Sequence, residues 1–460
     1  MHKRDINGTV RVVSLRESLL TKTAQLFICV RFTSIILFCS LYNDLGKTYC
    51  GRVTMEKIFT ERAHLMCPGM NFGIAMSVNS IFDKERITAA FEMAAENHPF
   101  LNAVLGYEKA DNSYFYDVTG SSKIDLKISD ESLTGIDDPK LLDEYKRLTG
   151  YDWDIRTEGM LKAVVWKAED NTVFLLIFHH LLADGRGALG LAEEIAQIYV
   201  GNAVFHAVSE KLISSEDDLP VDSKMPFISK TLVENANRNW KKEGHEPLSY
   251  ERYHEYADSF VKNDNVKISL TKTSQDELTE IVDACRNHSV TVNDYLMAKM
   301  FIEDKTEKII IARDIRDSLP FYSKGALGNY STAFSVVIKK PGNDVWKLAG
   351  EVHKKVQKTI SEPKDLWLVL QCYANLTPEV LDGAFMAAKG AFESKSASFI
   401  GKMFFGFEEP KGYSITNLGK IESTGINSAF FIPPASPAIR KTVGILTVNG
   451  EMRSCVSERN

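Results

Sequence analysis

The chain has 460 residues, more than one hydrophobic core usually organises, so two domains or one pseudo-symmetric pair are expected. Hydrophobic residues make up 44% and charged residues 25%, the balance of an ordinary soluble protein, and the formal net charge is -6. No long basic run occurs, so electrostatics gives no reason to expect nucleic acid as a partner.

Residues 1–54 read differently from the rest. Ala24 to Tyr42 is nearly long enough to span a bilayer, but Arg31 near its middle would be costly in hydrocarbon. A weak hydrophobic anchor is therefore the lesser reading, and membrane association is not expected. Ordinary soluble patterning starts at Met55. Just upstream, Gly51-Arg52 can be encoded by a purine-rich run of the kind found at bacterial ribosome-binding sites. Residues 1–54 are accordingly expected to be a non-native upstream extension, with translation starting at Met55.

From there strands and helices alternate. Asn71 to Val78 reads as a strand, and 83–97 as a helix with Ile87, Ala90, Phe91, Ala94 and Ala95 on one face. His98-Pro99 stops that helix, because the residue before proline avoids the helical region. Strands are predicted over 113–118 and 124–128, and a helix over 139–148. The apolar runs 161–167 and 172–178 form a hairpin around Glu169-Asp170-Asn171, and a helix follows over 187–200. Residues 201–262 are polar without sustained period and are assigned to a linker. A second set follows: strand 266–270, helix 274–287 with Ser274 as N-cap, helix 292–301, strands 308–312 and 335–339, helix 346–360, and late strands at 414–416 and 443–448. The organisation read is 55–262 and 263–460, of similar α/β content.

Seven cysteines, odd in number and widely spaced without C-x-x-C, point to neither a disulfide framework nor a zinc site. Free thiols in a reducing cytoplasm are the simplest account.

The stretch that carries chemistry is Phe178-His179-His180-Leu181-Leu182-Ala183-Asp184-Gly185, directly after an apolar strand and before a helix. Side chains alternate along a strand, so His179 and His180 diverge and one can face a cleft while the other packs. Histidine suits a general base because its ordinary pKa lies near neutrality. A buried carboxylate could hold the ring in one tautomer; alternatively Asp184 pairs with an arginine and fixes the loop. Gly185 gives the turn backbone freedom. A metal site is disfavoured, since adjacent strand histidines diverge and no second ligand cluster is apparent. Gly185-Arg186-Gly187-Ala188-Leu189-Gly190 has the outline of a dinucleotide fingerprint, but His179 to Asp184 intervene where such a turn is tight. Neither a G-x-S-x-G elbow nor a phosphate-binding loop occurs.

H-H-x-x-x-D-G resembles the signature of the condensation-domain, chloramphenicol acetyltransferase-like superfamily of thioester-dependent acyltransferases. Four weaker motifs follow the order of that superfamily: Asn97-His98-Pro99-Phe100-Leu101, Asp314-Ile315-Arg316, Gly328-Asn329-Tyr330 and Thr416-Asn417-Leu418-Gly419. The last is similar to the bacterial alcohol acetyltransferase-like branch. The D-F-G-W-G of the plant branch is absent, with only Phe405-Gly406-Phe407 in its place.

The resemblance implies a mixed α/β fold of two chloramphenicol acetyltransferase-like subdomains in a V, with an active-site tunnel between them. It implies that His180 takes the proton of an acceptor attacking a thioester carbonyl, without an acyl-enzyme. His179 and Asp184 would be structural, Asp184 salt-bridged to Arg316 or, as second candidate, Arg62. The Gly185 N–H would help hold the oxyanion, and Asn417 and Asn329 would contact substrate. Relatives continue beyond the last strand with another helix, so a truncated C-terminus is expected. The function expected is acyl transfer from acyl-CoA or a pantetheine thioester, as co-substrate and not bound cofactor, to a small alcohol or amine. The rivals are condensation with a carrier protein in trans and a non-catalytic carrier-binding module.

Overall fold

Asn71–Val78 (β2) is buried at every position, and Asn171–His179 (β7) at all but its first, as strands covered on both faces must be. These two pair antiparallel in a computed structural model that describes residues 56–202 and 206–459. The expectations for residues 1–54 lie outside the described residues. Around this pair the first sheet is built in the order Ile426–Ile432 (β12), β2, β7, Leu161–Ala168 (β6), Asp125–Ser132 (β5). The β6–β7 hairpin turns through Glu169-Asp170, with Glu169 at φ 46°, in the left-handed region. Helices Lys84–Asn97 and Gly185–Tyr199 pack against each other, and their buried alanines and leucines face inward. A small sheet of Glu56–Lys57 (β1), Ser113–Val118 (β4) and Ala103–Glu108 (β3) stands beside this layer.

The second sheet holds Ser331–Val337 (β10), Lys308–Asp314 (β9), Gly412–Ile421 (β11), Ile439–Val448 (β13), Glu451–Arg459 (β14) and Val266–Thr273 (β8), in that order. Its helices include Gln275–Asn287 and Val292–Glu303, each opened by a reciprocal capping box, Ser274 with Glu277 and Thr291 with Asp294. Ser274 is thus the N-cap the sequence indicated.

The linker reading needs correction. Within 201–262 the chain forms helices Phe227–Glu243 and Tyr250–Asn263. Each buries a narrow stripe, Val233, Ala236 and Trp240 in one and Tyr250, Tyr253 and Ala257 in the other, at spacings of three and four. Helices Leu368–Asn375 and Pro378–Ala388 and strands Ala103–Glu108, β12 and β14 were also not read from the sequence.

The His98-Pro99 break turns out to be an ionic anchor. His98 meets Glu194 at 2.8 Å and Glu210 at 3.2 Å, and Glu210 also accepts the Phe100 N–H at 2.7 Å. Burial pushes the imidazole pKa down, but the two carboxylates outweigh it and raise it to about 9. Glu210 thereby ties its segment to the first layer. The described cysteines Cys67, Cys285, Cys372 and Cys455 are buried free thiols.

Candidate active site

Strand β7 delivers His179 and His180 to its end, and the alternation of the strand separates them. His179 is buried, and its Nδ1 accepts the Leu181 N–H at 3.3 Å, so the neutral ring carries its proton on Nε2. Burial, and next the proximity of His180, push its pKa down to about 3. His179 therefore occupies the packed side, beside Trp153.

His180 turns the other way and is half-buried. Its backbone N–H donates to Met70 O at 3.0 Å. Asn329 grips it twice: Nδ2 donates to the His180 carbonyl at 2.8 Å, and Oδ1 lies 2.9 Å from Nδ1. A carbonyl oxygen accepts only, so the amide orientation forced by the first bond makes Nδ1 the donor in the second. The proton of neutral His180 is thus fixed on Nδ1, and Nε2 keeps its lone pair. Burial is the main cause that holds the His180 pKa below the ordinary histidine value. The ring is therefore an unprotonated base at neutral pH, aimed by an amide and not by a carboxylate.

Asp184 takes the structural alternative. It is buried, caps helix Gly185–Tyr199 through the Gly187 N–H at 2.9 Å, and accepts from Arg316 Nη2 at 2.7 Å. Its other oxygen accepts the Tyr330 N–H at 2.9 Å, and its own N–H donates to Gly328 O at 3.0 Å. One carboxylate so binds the helix start to the loop carrying Asn329. Arg316 was the first candidate partner and is the one found. Burial would lower its pKa, yet Asp184 and Asp314 keep it raised. Arg62 is the correction: it forms a bidentate pair with Asp382 at 2.8 and 2.6 Å, because its short helix Arg62–Leu65 faces helix Pro378–Ala388.

The glycines are explained differently than expected. Gly185 begins a helix with ordinary φ; a Cβ there would stand 2.7 Å from Leu418 Cδ2, the tip of a flexible side chain, so close packing and not backbone freedom disfavours a side chain. Gly328 does need its freedom, at φ 135°, and a Cβ would also stand 2.5 Å from Leu212 Cδ2. Asn417 is exposed, with Oδ1 turned back to accept the Gly419 N–H at 2.8 Å, while Leu418 is the residue packed on Gly185.

Sequence reasoning missed three neighbours. His64 lies flat against His180, with ring centroids 4.5 Å apart and planes at 17°. Phe72 meets the same ring edge-on at 5.2 Å. Glu61 is fully buried, with Oε1 unpartnered; burial raises its pKa to about 7, partly offset by hydrogen bonds that include the Thr60 hydroxyl donating to Oε2 at 3.3 Å. All three precede the motif by about a hundred residues, and only the fold joins them; the adjacent Glu61-Arg62 pair before an apolar run was the available signal. Among the described residues, no group of three or more His, Cys, Asp or Glu is placed to hold a metal ion. None of the helices there is long and apolar enough to cross a membrane.

The chain is similar over 145 residues to surfactin synthase subunit 1 of Bacillus subtilis (strain 168), at 27% identity, covering 31% of this chain and 4% of that protein. It is 28% identical over 142 residues to nonribosomal peptide synthetase kk1B of Curvularia clavata, covering 31% and 1%. The chain thus matches only a small part of the length of these relatives. Among solved structures, the epimerization domain from the third module of tyrocidine synthetase B superposes with a TM-score of 0.52 at 13% identity, covering 87% of this chain and 88% of that one. Polyketide synthase associated protein 5 from Mycobacterium tuberculosis gives 0.52 at 14%, covering 88% and 92%. The shared architecture is the mixed fold of paired chloramphenicol acetyltransferase-like halves. Residues 60–302 match the model of the condensation domain, more than half of the chain, and the protein belongs to the condensation-domain family.

Proposed function

We propose that the protein transfers an acyl group from a pantetheine thioester, on coenzyme A or on a carrier protein, to a small amine or alcohol. The observation that carries this reading is the unprotonated Nε2 of His180, fixed by the double grip of Asn329. As the acceptor heteroatom bonds to the thioester carbon, Nε2 takes its proton and the carbonyl π electrons move to oxygen. Collapse of that oxyanion breaks the C–S bond, and the leaving thiolate takes the proton from Nε2. No covalent enzyme intermediate is required. Gly185, at the positive end of its helix, offers its N–H to the oxyanion. Asp184 and Arg316 hold the two loops in register and touch neither substrate.

The test is thiol release from acyl-pantetheine, acyl-CoA and an acyl-carrier protein, each with amine and alcohol acceptors, in wild type and His180→Ala. A loss of about 10²- to 10⁴-fold in the variant supports the general base. Equal release in both overturns it. The donor that turns over fastest separates coenzyme A from a carrier as the source.

A further inference from the structure

We propose that the protein forms a two-fold symmetric dimer, in which two copies meet through an exposed apolar strip on helix Phe227–Glu243 and on the helical segment Lys395–Phe399 with Ile400–Phe405.

Of the ten large hydrophobic side chains exposed among the described residues, six lie on these two elements: Phe227, Ile228 and Leu232 on the first, Phe399, Met403 and Phe404 on the second. Phe227 is 83% exposed, and Ile228 and Met403 74% each. Ile228 and Leu232 are four apart and share one ridge, as do Phe399 and Met403. Leu232 and Phe399 line one groove, together with Asn235 and Asn239. Phe399 and Met403 line the hollow next to it.

The strip is already built. Glu243 ties the two elements together, accepting from Ser394 Oγ at 2.7 Å, Ser396 N at 2.9 Å and Ser396 Oγ at 2.7 Å. Gly401 lies so close to helix Pro378–Ala388 that a Cβ would stand 2.1 Å from Ala384 O, which seats the second element on that helix. Association therefore costs little ordering of these segments.

Area and charge together select a second copy as the occupant. At their exposures the six side chains present roughly 700 Å² per copy, above the roughly 300–600 Å² of the largest apolar patch on an ordinary monomer. Two strips face to face bury about 1,400 Å², within the roughly 1,200–2,000 Å² of a stable interface. The charges beside the strip are mixed: Lys230 lies 3.9 Å from Glu234, Lys402 meets Glu408 at 2.8 Å, and Glu243 shares the end of the groove with Lys242 and Lys395. An anionic bilayer is drawn by clusters of lysine and arginine of one sign, which this rim does not offer. Across a two-fold axis a mixed rim can set the lysines of one copy against the glutamates of the other.

The experiment is sedimentation equilibrium of the whole chain from about 1 to 100 µM, in wild type and in the double variant Ile228→Asp/Met403→Asp. Both side chains are mostly exposed, so the fold should survive, and the melting temperature checks that it does. Wild type should sediment as a dimer. The variant should be monomeric, its dissociation constant raised about 100-fold or more, because each change enters a symmetric interface twice. If the aspartates lower the melting temperature, Ile228→Gln/Met403→Gln makes the same comparison without charge. A wild type that is monomeric throughout overturns the inference; its co-sedimentation with phosphatidylcholine–phosphatidylglycerol vesicles would then assign the strip to a lipid surface. A dimer equally tight in the variants places the contact elsewhere and overturns it as well.

Discussion

Asn329 grips His180 from both ends of one amide, accepting from the ring at Nδ1 and donating to the backbone carbonyl of the same residue. Ring tautomer and ring position are therefore set by a single side chain from the other half of the molecule. Replacing Asn329 with Leu should free the tautomer and lower kcat by about 10²-fold while leaving KM for the donor little changed. Nitrogen chemical shifts of the His180 ring check the cause: the wild type should show the Nδ1–H form and the variant a mixture.

The acid limb of kcat/KM should lie below the ordinary histidine value. Burial holds the His180 pKa down, and only the unprotonated ring can accept a proton, so activity persists to lower pH than an exposed histidine would permit. The pH profile of thiol release measures this directly.

Asp184→Ala should destabilise the fold by about 3 kcal/mol or more, because Arg316 keeps its charge in a buried place while the helix cap and the Tyr330 contact are lost. Pairing it with Arg316→Met should cost less than the sum of the two single changes, since the uncompensated charge is removed. Denaturant unfolding of the four proteins in this cycle supplies the test.

His98 has a folded pKa of about 9, raised by Glu194 and Glu210 against its burial. A group raised in this sense stabilises fully below its unfolded value, near 6.5, and loses that contribution as pH climbs toward 9. The stability advantage of wild type over His98→Asn should therefore be largest in mild acid and shrink steadily across that window. Taking the difference between the two proteins cancels the titrating groups that do not touch His98; Glu194 and Glu210, which His98 holds down, shift with it and enter the same difference. A flat difference would place the anchor's contribution in packing alone.

Gly328→Ala should harm activity more than Gly185→Ala. The first forces a side chain into a left-handed position beside the residue that aims His180. The second meets only the flexible tip of Leu418, which Leu418→Ala should relieve. Activities and melting temperatures of the single and double variants measure both.

How much of this could be read from the chain depended on how much of each signal was local. β2, β7 and the helix after Asp184 were legible because their apolar periods are uninterrupted, and the Asp184–Arg316 pair followed from a resemblance between motifs 132 positions apart. The helices at 227–243 and 250–263 were lost because each buries one stripe under a majority of polar and charged residues, so composition hid the period. Strand β12 was lost because its partner is some 350 positions upstream. His64 has no motif of its own; its place against His180 exists only after two distant segments have packed.

The position of β12 governs the order in which the protein can be completed. Ile426–Ile432 closes the open edge of β2, so a ribosome must make more than nine-tenths of the chain before the first sheet gains its last member. Until then β2 presents an unpaired, apolar edge to the cell. A fragment cut after residue 302, where the family match ends, would keep both histidines of the motif but lack Arg316, Asn329 and this closing strand. The two halves are better regarded as one folding unit than as exchangeable parts, and swapping either between relatives calls for carrying Ile426–Ile432 along with the half it completes.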